Sequence, residues 1–253
     1  MTALDAVPQE KWDALSGQRI FFGHQSVGYN IITGIEGILQ ERHNIKLDIL
    51  NTSKVKEVNQ PGLAHEWIGR NTDPVSKLEA FAALLHDKFG KETDIAMMKF
   101  CYVDITSDTD IDTLFIRYKT TLAELRKEFP ETIFVHVTVP LTTKPQGIDG
   151  VKAAGKNMIK KIMGKPVFDY KDNIKRNLFN NKMKAEYEGR EPLFDLAGLE
   201  AGYMPDRPSS FARDNTTYLT LAAEYTNDGG HLNEAGARKI GEQFLFFLAQ
   251  HSR

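Results

Sequence analysis

Cysteine is nearly absent. Cys101 stands alone among 253 residues, which excludes an intramolecular disulfide and any zinc site built on several thiolates. Charge of one sign is not in excess either: 32 Lys and Arg oppose 34 Asp and Glu, and a net charge of −2 gives no global field to draw in nucleic acid or an anionic membrane surface. No apolar run is long enough to cross a bilayer, so no membrane partner is expected. Residues 1–17 lack the basic start and continuous apolar stretch of a secretory leader and carry Asp5, Glu10 and Asp13 instead. The chain reads as soluble, either cytoplasmic or exported and supplied without its leader. There is no internal repeat and no low-complexity tract. The fold must therefore rest on a hydrophobic core, which 253 residues can build within one domain, 1–253.

What is present is an alternation of short apolar runs with longer amphipathic ones. Residues 19–23, 46–50, 94–100, 132–139 and 192–196 read as strands, and 28–41, 75–89, 110–129, 169–188 and 233–250 as helices. Ile95, Ala96, Met97 and Met98 show no polar alternation, as expected of a strand covered on both faces. The pattern predicts an α/β fold, a three-layer α/β/α sandwich around a mostly parallel five-stranded sheet of flavodoxin-like type. Ligands of such sheets bind beyond the carboxyl ends of the strands. Ser26, Cys101–Asp104 and Pro140–Thr143 would all line that edge.

Two short segments at opposite ends of the chain carry complementary chemistry. Phe21-Phe22-Gly23-His24-Gln25-Ser26-Val27-Gly28 places a serine where an apolar strand ends. Asp228-Gly229-Gly230-His231-Leu232-Asn233 places an aspartate three residues before a histidine and just ahead of a helix. A serine hydroxyl needs a neutral imidazole to take its proton as it attacks a carbonyl, and the imidazole needs a carboxylate to fix its tautomer. Ser26, His231 and Asp228 supply nucleophile, base and orienter. Singly, each has a plainer reading: Ser26 as a helix N-cap, Asp228-Gly229-Gly230 as a turn, and His231 as an ordinary histidine. A metal site from His24, Asp228 and His231 lacks diagnostic spacing; neither a metal nor another cofactor is expected.

With these blocks the chain resembles the SGNH, or GDSL-type, hydrolase superfamily, in divergent form. The resemblance rests most firmly on Asp228-Gly229-Gly230-His231-Leu232-Asn233 followed by Ala235-Gly236. It implies the three-layer fold, a Ser26 acyl-enzyme mechanism, and an oxyanion hole with donors from the Ser26 N–H and from a second-block glycine, placed at Gly69 with Gly62 competing. Two departures stand out. Gly23-His24-Gln25-Ser26 replaces the usual Gly-Asp-Ser, and aligning 94–105 on the third block puts Val103, which has no donor, where the family has asparagine. Asn71, Tyr102 and Lys99 are the candidate stand-ins, and His24 and Gln25 are further candidate substrate contacts.

Lysine is expensive inside a buried strand, so Lys99 is expected either to pair with Asp104 or to set its charge beside the oxyanion. Cys101 reads as a small buried hydrophobe, and His24 as closing the turn or lining the pocket. The stretch 152–184 is locally basic and reads as a solvated helix face opposite Ile174, Leu178, Phe179, Met183 and Tyr187, with an anionic substrate as the sharper alternative. Residues 203–217, just before the base block, are expected to wall the pocket. The combined reading is a serine esterase hydrolysing a small O-acyl ester, acetyl foremost, whose substrate is a small molecule or a glycan. An O-acyltransferase and a non-catalytic glycan- or partner-binding protein are the alternatives. The sequence does not speak to oligomeric state.

Overall fold

The computed structural model describes residues 2–53, 60–144, 169–202 and 207–253. The apolar runs form strands β1 Arg19–His24, β2 Ile49–Asn51, β3 Gly62–Trp67, β4 Ile95–Met98, β5 Ile133–Val137 and β6 Leu193–Phe194. All pair parallel in the order β2-β3-β1-β4-β5-β6. Helices α1 Gln9–Ser16, α2 Ser26–Glu41, α3 Pro74–Leu84, α4 Ile111–Glu128, α5 Tyr170–Tyr187, α6 Leu196–Glu200 and α7 Glu234–His251 accompany the sheet. An antiparallel hairpin, β7 Ser210–Arg213 and β8 Thr216–Leu219, stands apart from it.

The sheet has six strands where the sequence suggested five. The strand that periodicity misses is β3, because His65 and Glu66 interrupt its apolar run and the burial of His65 depends on a distant partner, His24. The strand expected over 46–50 forms only at Ile49–Asn51. The helices fall close to their expected spans, with α3 continued to Phe89 by a π turn over Leu85–Phe89.

Both faces of the sheet are covered. Phe22, Ile95 and Val135 face a core shared with Trp12 of α1, Ile31 and Ile35 of α2, and Phe244 and Leu248 of α7. Phe21, Ala96 and Phe134 face the opposite core, with Phe81 of α3, Tyr118 of α4 and Phe179 of α5. This division by alternate residues is what a strand's period of two imposes on a sheet buried on both sides.

On the first face, α2 and α7 meet backbone to backbone. A Cβ at Gly34 would stand 2.0 Å from the Ala237 carbonyl oxygen, so this approach admits only glycine. The packing fixes the start of α2, which carries Ser26, against the turn that precedes α7, which carries Asp228 and His231.

Candidate active site

Ser26 is the first residue of α2, at the carboxyl edge of the sheet directly after β1. Gln25 occupies the cap position and contributes no capping side chain, so the serine hydroxyl is not spent on the helix amides. Instead Ser26 Oγ lies 3.0 Å from His231 Nε2, although 205 residues separate the two in sequence.

The Asp228–His231 block is held by its own backbone. Asp228 Oδ1 accepts from the N–H groups of Gly230 at 2.9 Å and His231 at 2.8 Å, while Oδ2 accepts from His231 Nδ1–H at 2.6 Å. Such a short bond to a carboxylate fixes the tautomer that leaves Nε2 as the acceptor facing Ser26. Burial pushes the Asp228 carboxyl up, but hydrogen bonds from the His231 ring, the His231 N–H and the Gly230 N–H outweigh it and bring the pKa down to about 2. Asn233 caps α7 through the Gly236 N–H at 2.9 Å, and the Thr143 N–H of the loop after β5 ties to the Gly229 carbonyl at 2.8 Å. The His231 and Asp228 side chains are 40% and 46% exposed, so the pair is open to solvent and to a ligand.

Across from this block lie the groups that can face a developing negative charge. Neither the Ser26 N–H nor the Gly69 N–H has an acceptor among the described residues, and the first lies at the positive end of α2. Gly69 follows β3 at the carboxyl edge with φ of +54°; Gly62 begins β3 at the far end of the strand and is thereby excluded from the edge. A Cβ on Gly69 would come within 2.6 Å of the Lys77 backbone nitrogen. The Gln25 amide donates to the carbonyls of Ile68 at 2.8 Å and Gly69 at 3.0 Å, fixing the peptide that presents the Gly69 N–H. Gln25 thus orients the loop from a buried position.

A fully buried ion pair supports that loop. Lys77 Nζ donates to Asp104 Oδ2 at 2.5 Å and to Asn71 Oδ1 at 3.0 Å. The Asp104 carboxylate also accepts from the Thr72 N–H at 2.9 Å and the Cys101 N–H at 2.6 Å. One carboxylate therefore joins the loop after β3 to the loop after β4, across Thr72 with its positive φ of 68°. With Oδ1 engaged by Lys77, Asn71 keeps its Nδ2 as a donor at an exposed position. Val103 packs its side chain against the core.

Tyr102 brings its hydroxyl to 3.3 Å from His231 Nε2, with its ring edge-on to the imidazole at 5.6 Å. Burial, with the nearby Asp228 charge adding to it, pushes the phenol up to about 12, so it keeps its proton. Arg176 of α5 holds the Tyr102 carbonyl from its Nε at 2.7 Å and the Thr142 hydroxyl from its Nη1 at 3.0 Å, bracing two edge loops from below.

Several expectations change here. Lys99 does not pair with Asp104, which Lys77 has taken; its ammonium is fully buried, donating to the Phe100 carbonyl at 3.2 Å and lying 3.7 Å from Cys101 Sγ. That enclosure removes it from the oxyanion side. His24 is also fully buried, with Nε2 3.0 Å from His65 Nδ1 and Nδ1 2.8 Å from the Gln25 carbonyl, so it closes the turn and does not line a cleft. Cys101 is buried, as expected of a small hydrophobe. Of the inward stripe expected on α5, Phe179, Met183 and Tyr187 are buried but Leu178 is exposed, and Asn173, Arg176, Asn177 and Asn180 are buried in its company. Much of the basic stretch, and residues 203–206 of the expected wall, lie outside the described residues; 207–217 enter the β7–β8 hairpin.

Sequence reasoning did not single out Lys77, Arg176 or Glu200. The first two sit on inward stripes of their helices, Lys77 beside Leu78 and Phe81 and Arg176 beside Phe179 and Met183, and that placement was the available signal. Glu200 accepts from the Leu141 N–H at 2.7 Å, and burial pushes its carboxyl up to about 8.

No family model matches the chain, and no curated protein matches it. Solved structures do. A Bacteroides fragilis protein described as an acylhydrolase superposes with a TM-score of 0.53 at 13% identity, covering 94% of this chain and 88% of that one. A Parabacteroides merdae protein described as a GDSL-like lipase gives a TM-score of 0.50 at 12% identity, covering 94% of this chain and 96% of that one. The six-stranded parallel sheet between helical layers is thus a fold that the chain shares with both structures over nearly its whole length. It is the SGNH-like α/β fold that the sequence blocks at Ser26 and Asp228–His231 suggested. Among the described residues, no helix is long and apolar enough to cross a membrane.

Proposed function

We propose that the protein is a serine esterase that hydrolyses a small O-acyl ester, acetyl foremost, with Ser26 as nucleophile, His231 as general base and acid, and Asp228 as orienter. The observation that carries this reading is the relay of contacts from Ser26 Oγ to His231 Nε2 at 3.0 Å and from His231 Nδ1 to Asp228 Oδ2 at 2.6 Å. Ser26 Oγ bonds to the acyl carbon as His231 Nε2 takes the hydroxyl proton, and the carbonyl π electrons move onto the oxygen. The Ser26 and Gly69 N–H groups meet that oxygen, with Asn71 Nδ2 as the third donor in place of the family asparagine; one such donor is worth about 3–4 kcal/mol in a preorganised site. Collapse expels the alcohol, which leaves with the proton from His231. Water then attacks the acyl-enzyme with His231 again as base, and the carboxylic acid departs as Ser26 regains its proton. While His231 holds the proton, its Nε2–H can be accepted by the Tyr102 hydroxyl oxygen. Exposure of the His231 side chain at 40% gives water access to the acyl-enzyme.

The test is turnover of p-nitrophenyl acetate by the wild type and by Ser26→Ala and His231→Ala. A loss of ~10³-fold or more in each variant, with folding intact, is the expected result. Turnover that survives Ser26→Ala would remove the assignment, and a well-folded but inert wild type would move the reading to a binding protein on the same fold.

A further inference from the structure

The atoms of a trans peptide share one plane with its C=O and N–H opposed, so a group that anchors the oxygen aims the N–H the other way. The Gly69 N–H belongs to the Ile68–Gly69 peptide, whose oxygen accepts from Gln25 Nε2 at 2.8 Å. The Ser26 N–H belongs to the Gln25–Ser26 peptide, and its oxygen is held in the same manner: His24 Nδ1 lies 2.8 Å from it. Consecutive side chains thus grip both peptides from inside the fold, His24 being 0% and Gln25 6% exposed. The two peptides are also tied to each other, because the Ile68 N–H donates to the His24 carbonyl at 3.0 Å.

A carbonyl oxygen only accepts, so His24 Nδ1 carries the proton of its contact with Gln25. Burial keeps the ring neutral, bringing its pKa down to about 3, which leaves Nε2 as an acceptor. His65 Nδ1, 3.0 Å away, is then the donor to it. Donation therefore runs one way, from His65 through His24 to the Gln25 oxygen, and each bond in such a chain polarises the next. The Gln25 oxygen also accepts the first helical bond of α2, from the Tyr29 N–H at 3.1 Å, so the peptide plane is fixed from two directions. Gly28, the third residue of α2, makes room for this arrangement. A Cβ there would stand 2.3 Å from His24 Cβ and 2.9 Å from Nδ1.

We propose that His24, oriented by His65, is a positioning residue for the oxyanion hole: its Nδ1–H anchors the Gln25–Ser26 peptide so that the Ser26 N–H faces the acyl oxygen. The role rests on the esterase reading, and with it the two residues before Ser26 organise both peptide donors. The test compares wild type, His24→Leu, His24→Asn and Gly28→Ala in turnover of p-nitrophenyl acetate and in thermal midpoint. Nuclear magnetic resonance of isotope-labelled wild type locates the imidazole protons. Asn carries an N–H donor near the place of Nδ1 but leaves space that Leu fills.

His24→Leu is expected to lower kcat about tenfold or more with KM within about twofold, short of the loss for a donor removed outright. His24→Asn should regain most of kcat while melting no higher than His24→Leu. Gly28→Ala, which keeps both histidines but drives the ring from the carbonyl, should lower kcat as His24→Leu does. A rate that follows the thermal midpoint across the variants, or an unchanged kcat in His24→Leu, would overturn the role while leaving an active triad. A His24 proton found on Nε2 would overturn it whatever the protein's activity. A wild type that neither turns over the ester nor labels with a fluorophosphonate would overturn the esterase reading and this role together.

Discussion

Asp228 finds each backbone and ring group it orients within three residues of itself, whereas the donors facing it are held by Gln25, Lys77 and Asp104 from three separate elements. In the proposed mechanism the acid–base side is a self-contained turn closed by a helix cap. The proposed oxyanion side is an assembly whose supports come from the ends of β1, β3 and β4 and from α3. The difference explains where the chain departs from the pattern of its fold. A local turn keeps its spacing or loses its chemistry, while an assembled set of donors can be rebuilt from other residues so long as peptide N–H groups and one amide reach the same place. On the proposed function, Val103, packed on the core, and Asn71, fixed by Lys77, are where such a rebuilding would lie.

The largest expected effects come from breaking the local side. Ser26→Ala and His231→Ala should each cost ~10³-fold or more in kcat/KM, and the double variant should cost little more than either, because the groups act as a unit. Asp228→Asn should lose about 10²–10³-fold, since the tautomer facing Ser26 is no longer enforced. Circular dichroism should stay unchanged in all of them.

Breaking the assembled side should act on stability as well as on rate. Lys77→Met strands the fully buried Asp104 carboxylate, at an expected cost of about 3–5 kcal/mol read from the urea midpoint. Lys77→Met with Asp104→Leu should recover only part of that stability and none of kcat, since the Thr72 and Cys101 N–H groups lose their acceptor. Asn71→Ala should lower kcat by about 10²-fold, the loss expected for one oxyanion donor, and should cost about 1–3 kcal/mol of stability because the buried Lys77 ammonium loses an acceptor. Gly34→Val sharpens the comparison from outside both sides: forcing α2 from α7 should cost about 1–3 kcal/mol and separate Ser26 from His231, lowering kcat without touching either residue.

The remaining effects are in the pH dependence of stability. Burial brings His24 down to about 3 from 6.5 and His136 to about 4, so the unfolded chain binds protons that the fold does not. Their contribution is complete above pH 6.5 and is lost as pH falls toward 3–4. Glu200 works in the other direction. Its folded pKa of about 8 stands above the ordinary 4.5, so stability declines as pH rises between those values, and Glu200→Gln should remove that decline. Thermal midpoints between pH 4 and 9 measure both.

The same contrast governs what the sequence discloses. The fold was legible because parallel strands buried on both faces are apolar throughout and the helices between them are amphipathic. β3 escaped because His65 is buried by a partner forty-one residues away. The Asp228–His231 turn can be read from six consecutive residues. The supports of the opposite side cannot, since the roles of Gln25, Lys77, Asp104 and Arg176 follow from neighbours that only the folded chain supplies. Lys99 shows the same limit: its buried place was foreseen, but the carboxylate expected for it had a different lysine.

The most direct test is to treat the protein with a fluorophosphonate and locate the adduct by peptide mass spectrometry, with and without the His231→Ala substitution. The account predicts one adduct, on Ser26, formed at a rate that falls at least a hundredfold when His231 is removed. An adduct on another residue, or labelling of Ser26 at the same rate without His231, would contradict it.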